Sequence, residues 1–260
     1  NASAKADSGA KLQKLKIGAS PVPHAEILKL VKDDLKKEGV DLEIVEFTDY
    51  IQPNIAVGDK SIDANFFQHV PYMENFAKEK HLDLVSVGTV HIEPIAVYSK
   101  KIKNVSELKE GDTIAVPEDT SNNSRALRLL HAAGVIKLKD PSNTLATKDD
   151  IVENPKKIDI KELPAGQTAR ALDDVAASLI NNGFAVEAGF QPTKDAIYIE
   201  QITDSSQPYY NVIAVKEGNE NNEVYKKIVE YYQTPETAKK IEEVTKGASV
   251  PVWEKATLEN

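Results

Sequence analysis

The chain has 260 residues, 41% of them hydrophobic and 28% charged, with a net charge of −9 and no cysteine. That length buries a sizeable core and lies where one core begins to divide into two domains, and the composition excludes a disordered chain. The acidic balance, with no basic block, excludes nucleic acid as a partner, and no run of about 18 apolar residues is available to span a membrane.

Residues 1–11, NASAKADSGAK, are small, polar and charged and predict a flexible tether. Leu15–Ala19 reads as a strand stopped by Pro21 and Pro23. A helix follows from near His24, with Ile27 or Leu28, Val31 and Leu35 at helical spacing up to Gly39. Asp41–Phe47 is a second strand, and this strand–helix–strand opening implies an α/β fold with parallel strands. Tyr50–Ala64 carries a short helical pattern. Asn65–Met73, NFFQHVPYM, is the most aromatic stretch and is predicted as a loop bounded by Pro71, with a helix to about Lys80. Its rings suit either a core or, beside the polar tips of Gln68 and His69, a pocket for an amphiphilic ligand.

Leu82–Val87 is a strand, and Gly88–Ser99 is an extended crossing broken by Pro94. Val105–Leu108 starts a short helix. In Ile114–Leu130, IAVPEDTSNNSRALRLL, a buried strand turns at Pro117–Asp119 and feeds a helix capped by Thr120, Ser121 or Asn122. Arg125 is then expected in the first helical turn. A cation there opposes the helix dipole, so Arg125 reads either as a fork aimed at a ligand carboxylate or as a surface residue paired with Glu118 or Asp119.

Ile136–Ile151 is a polar, turn-rich excursion, and Ile158–Leu163 is a strand. Gln167–Leu172 is a short helix, and Val175–Ile180 is a strand entering Asn181 and Asn182, which are turn formers or amide donors at a sheet edge. Ala196–Ile202 is a strand, Pro208–Val215 a second crossing, and two helices follow, the later one opened by Thr234-Pro235. Gly247–Trp253 ends the packed body. Two crossings flanking one α/β block mean that the first domain resumes after the second. The predicted division is 12–97 with 210–260 as lobe 1 and 98–209 as lobe 2.

Five stretches, in order, are similar to the methionine-binding lipoproteins of bacterial ABC importers, the MetQ/NlpA family. They are GASPVPHAEIL (18–28), DANFFQHVPYM (63–73), GTVHIEPIAVYSKKIK (88–103), IAVPEDTSNNSRAL (114–127) and PYYNVIAVKEGN (208–219). The resemblance implies a two-lobed, type II periplasmic-binding-protein-like α/β fold. Each lobe would be a mixed, mostly parallel sheet flanked by helices, joined by the two crossings, with the ligand in the interlobe cleft. It also implies roles. Arg125 would grip the ligand carboxylate with help from Asn122, and Asn181 and Asn211 would hold the amino-acid backbone. Tyr50, Phe67 and Tyr72 would enclose the side chain, with His69 and His91 nearby. Two positions depart from the family pattern: Thr120 replaces a common proline, and Asn182-Gly183 replaces a Thr-containing pair. Both bear on how the backbone end is held.

The implied function is capture of L- or D-methionine, or of a methionine dipeptide such as glycyl-methionine, and delivery to the importer permease. The chain would be a monomer without a cofactor, held at the extracytoplasmic face of the cell membrane by a lipidated cysteine upstream of Asn1. Two rivals are weaker. An enzyme could use His69 and His91 as bases with Asp63 or Glu93, but no nucleophile elbow or phosphate loop is present. A metal centre would have to gather His24, His69, His81, His91 and His131, which show no ligand spacing.

Overall fold

The computed structural model describes residues 12–252; the predicted tether and Trp253 lie outside them. Strand β1 (Gln13–Ala19) turns through Pro21–Ala25 into α1 (Glu26–Lys37), whose Ile27, Leu28, Val31 and Leu35 form its buried face. Gly39, at φ +87°, bends the chain into β2 (Val40–Glu46), a left-handed conformation that a side chain would strain. Then come α2 (Gln52–Gly58), β3 (Ala64–His69), α3 (Val70–Lys80) and β4 (Leu84–Ile92). The middle of the chain supplies β5 (Ala96–Tyr98), β6 (Thr113–Pro117), α4 (Thr120–Ala132), β7 (Lys137–Leu138), β8 (Ile151–Glu153), β9 (Asp159–Leu163), β10 (Ala177–Ile180), α5 (Asn182–Glu187), α6 (Pro192–Asp195) and β11 (Tyr198–Ile199). It closes with β12 (Asn211–Lys216), α7 (Glu223–Tyr232), α8 (Pro235–Thr245) and β13 (Val250–Pro251).

The described chain forms two compact units, one from residues up to Ile92 together with those from Pro208 onward, the other Glu93–Gln207. Residues 93–97, expected in the first lobe, belong to the second because β5 pairs with β10 and β11; Pro208 and Tyr209 move the other way.

In the first unit the sheet order is β13-β4-β12-β3-β1-β2. The pairs of β1 with β2 and β3 are parallel; those of β12 with β3 and β4, and of β13 with β4, are antiparallel. The second unit's sheet, β11-β5-β10-β6-β9, has two antiparallel and two parallel pairs. Both sheets are mixed, as expected, but the parallel majority is absent because each sheet takes in a strand from a crossing: β12 in the first, β5 in the second.

The NFFQHVPYM stretch is not a loop. All six residues of β3 are buried, and Pro71 sits in the first turn of α3, where its missing N–H costs no helical bond. Consecutive strand residues face opposite ways. Phe66 therefore enters the main core with Ile17, Val90, Ile213, Ile228 and Tyr232, whereas Phe67 joins a separate group with Tyr72 and Phe76. Burial on both faces removes the polar alternation that would have marked a strand. On β4 a Cβ at Gly88 would lie 2.6 Å from Val229 Cγ2, so glycine lets α7 approach the sheet. The strand expected over Ala196–Ile202 shrinks to β11, and a helix, α5, starts where a turn at Asn181-Asn182 was one reading.

In the second unit the segment Ile95–Tyr98, which carries β5, divides its side chains in the same way. Ile95 and Val97 pack with Ile114, Leu127, Leu130 and Leu179, while Ala96 and Tyr98 pack with Leu172, Ile180 and Ala185. Ala126, Leu127 and Leu130 of α4 pack with Ile114, Val116 and Ala177 of this sheet.

Candidate functional site

Ser121, Asn122, Asn123, Ser124 and Arg125 are all buried, although the stretch is entirely polar. Buried polar groups need partners. Asp119, rather than Thr120, Ser121 or Asn122, is the N-cap: its Oδ2 accepts from the Asn122 backbone N–H (3.1 Å), Asn122 Nδ2 (2.9 Å) and Ser121 Oγ (3.2 Å). Burial pushes the Asp119 carboxyl above its ordinary range, and those hydrogen bonds pull it partly back. Asn123 Nδ2 donates to Pro117 O and to Glu162, and Ser124 Oγ donates to Asn143 O.

With the cap at Asp119, Arg125 falls in the second turn of α4, not the first, on the same face as Asn122. Its partner is neither Glu118 nor Asp119. Nε donates to Glu200 Oε2 at 2.9 Å and Nη2 to Glu200 Oε1 at 2.6 Å, a two-pronged ion pair, and Nη2 also donates to Glu93 O at 2.9 Å. The side chains of Arg125 and Glu200 are 4% and 16% exposed. Glu200 is positioned by its own backbone, whose N–H donates to Ile95 O. Beside this pair Asn182 Nδ2 donates to Glu93 Oε1 (3.1 Å), and Asn181 Nδ2 donates to Asn122 Oδ1 (3.3 Å). Among the described residues no group donates to the buried Oδ1 of Asn181 or of Asn182. The second unit therefore brings Asn122, Arg125 and Asn181 together, and adds Glu200, Glu93 and Asn182.

The first unit assembles the other expected residues. Asn211 stands in register with His69 of β3 on one side and His91 of β4 on the other. Its Oδ1 lies 2.7 Å from His24 Nε2, a ring held 4.8 Å from Phe66 and 5.2 Å from His91 between centroids. His69 caps α3, its Nδ1 accepting from the Tyr72 N–H at 3.3 Å, and packs edge-on to Tyr209. Tyr50, Phe67 and Tyr72 form a three-ring group with centroids 5.7, 5.7 and 5.9 Å apart, and Tyr72 Oη donates to Tyr50 O. Behind it Asn54, Asn65 and Gln68 exchange buried amide hydrogen bonds that pin α2 to β3.

Sequence reasoning missed four contributors. His24 entered only among scattered histidines, although its place beyond the carboxyl end of β1 was a signal. Glu93 entered only as a partner for a catalytic base. Tyr209 and Glu200 carried no signal at all.

The family model described as NlpA lipoprotein matches residues 15–253. The D-methionine-binding lipoprotein MetQ of Escherichia coli (strain K12) is 44% identical over 231 residues, covering 88% of this chain and 83% of that protein. A nutrient binding protein from Burkholderia cenocepacia, solved bound to methionine, superposes with a TM-score of 0.86 at 44% identity, covering 91% of this chain and 99% of that one. An ABC transporter periplasmic substrate-binding protein from Coxiella burnetii superposes with a TM-score of 0.85 at 37% identity, with 91% and 99% covered.

Proposed function

The chain belongs to the NlpA lipoprotein family, with the α/β fold of periplasmic substrate-binding proteins, and from that premise we propose that it captures methionine and delivers it to an ABC importer. The observation that carries the proposal is the buried polar opening of α4, where Arg125 and two unfilled amide oxygens meet on one unit. Arg125 supplies the cation for the ligand carboxylate, assisted by Asn122, and the Oδ1 atoms of Asn181 and Asn182 accept from the ammonium. A charge-assisted hydrogen bond of this kind contributes about 1.5–3 kcal/mol. Asn211, oriented by His24, is the first unit's polar contribution, with His69 and His91 beside it in register. Tyr50, Phe67 and Tyr72 take the thioether, whose contact with an aromatic edge is worth about 0.3–1.5 kcal/mol.

The ligand is bound and released unchanged; nothing in this chemistry breaks a bond. The protein acts as a monomer, needs no cofactor, and is held to the extracytoplasmic face of the membrane by an N-terminal lipid, as relatives named lipoproteins suggest. Native mass spectrometry of the purified protein, followed by calorimetry with L-methionine, D-methionine and glycyl-methionine, tests the reading. Saturable binding of either methionine enantiomer, with its mass unchanged after overnight incubation, is expected. Preference for the dipeptide would redirect the assignment to that ligand, and no heat from any of the three would overturn it.

A further inference from the structure

Among the described residues, carboxylates outnumber cations in the second unit's polar cluster. Arg125, its buried cation, donates to Glu200 through two nitrogens and to the Glu93 backbone oxygen, while the Glu93 side chain accepts from Asn182 and Asp119 accepts from Asn122. The bonds to Glu200 and Glu93 engage Nε and Nη2 of the guanidinium. A lone buried arginine attracts any small anion, because a charge out of water keeps its field. An arginine already held through both oxygens of a half-buried carboxylate presents directional N–H groups with reduced net charge. The remaining features of the cluster suit a donor, not an acceptor: Asn181 and Asn182 are 7% and 3% exposed, and each has an Oδ1 with no donor among the described residues.

We propose that Glu200 is a specificity-determining residue that cancels the charge of Arg125, so that the site takes net-neutral zwitterions carrying their own ammonium and rejects carboxylates that lack one. This rests on the reading of the site as a methionine site and adds a rule for what that site refuses. Arg125 then decides whether a carboxylate is gripped, and Glu200 decides that the carboxylate must arrive with a cation attached. Glu200 lies 75 residues from Arg125 along the chain and is placed by the backbone bond to Ile95, so this screening is part of the fold of the second unit.

The test keeps the ligand's side chain constant. Methionine is compared with its hydroxy analogue, 2-hydroxy-4-(methylthio)butanoate, which carries a hydroxyl in place of the ammonium and so a net charge of −1. Affinities are measured by calorimetry on the wild-type protein and on Glu200→Gln, whose amide keeps the size and one acceptor but not the charge. Wild type is expected to favour methionine strongly, and Glu200→Gln is expected to narrow that gap by about tenfold or more. Methionine amide, net positive, is expected to lose affinity in the same variant. An unchanged gap in a variant that still binds methionine overturns the proposal. So does a variant that melts normally yet binds nothing, because Glu200 then only positions Arg125. If Glu200→Gln melts well below wild type, Glu200→Asp carries the same comparison: with the charge retained, its gap is expected to stay near wild type, and a gap that collapses overturns the proposal. Failure of the wild-type protein to bind methionine at all would count against the proposed function and not against this rule.

Discussion

The Arg125 cluster and the Tyr50–Phe67–Tyr72 cluster are built on opposite plans. Arg125 meets Glu200 across 75 residues, Asn181 meets Asn122 across 59, and Asn182 meets Glu93 across 89. The three rings come from one stretch of 23 residues and fill a small apolar group with Ile55, Phe76 and Leu82. The first cluster depends on direction, so each bond fixes the next and a single loss leaves a buried charge unpaired. The second depends on contact area and soft polarisability, which degrade gradually. On the proposed reading, the polar cluster governs the charged end of the ligand and the aromatic cluster its side chain.

The largest blow to that contrast is Arg125→Ala. Removing one partner of a buried ion pair costs about 2–5 kcal/mol, so methionine binding is expected to vanish in calorimetry; normal affinity would erase the distinction between the clusters. Asn211→Ala comes next. It strips His24 of its 2.7 Å partner and removes the proposed ligand contact, an expected loss of about 1–3 kcal/mol in methionine affinity, read by titration alongside a melting curve. Phe67→Leu is gentler. The ratio of methionine to norleucine affinity, which isolates the sulfur, is expected to fall by up to about tenfold; an unchanged ratio would take Phe67 out of side-chain recognition.

The last test concerns stability alone. Asp119 has its carboxyl raised by burial, so the folded chain holds that proton at a pH where the unfolded chain has released it. This contribution is present below the ordinary carboxylate value and lost as pH rises through the raised one. Asp119→Asn stays neutral throughout. Its stability relative to wild type, measured by urea denaturation, is expected to improve as pH rises through that window.

Much of this architecture was legible because period separates strand from helix, as in the Ile27–Leu35 stripe of α1 and the Thr234 cap of α8. It failed where tertiary burial overrode the local pattern. β3 is covered on both faces, so NFFQH lacks the alternation of a half-exposed strand. At α4 four consecutive residues, Asp119 to Asn122, all have capping side chains, and only backbone geometry selects the first. The family resemblance nominated Asn122, Arg125 and Asn181, which do converge. Glu200 could not be nominated, because a lone glutamate after a two-residue strand looks like any solvated acid until its partner is known.

The position of β12 between β3 and β4 has a consequence for how the chain is made. As synthesis proceeds from the N-terminus, β3 and β4 emerge early, each with an edge that nothing can fill until residues 211–216 leave the ribosome. Glu93–Gln207 is one uninterrupted stretch and can complete its sheet in the meantime. The unit that begins first thus finishes last, and its two waiting edges are where chaperone protection would matter most.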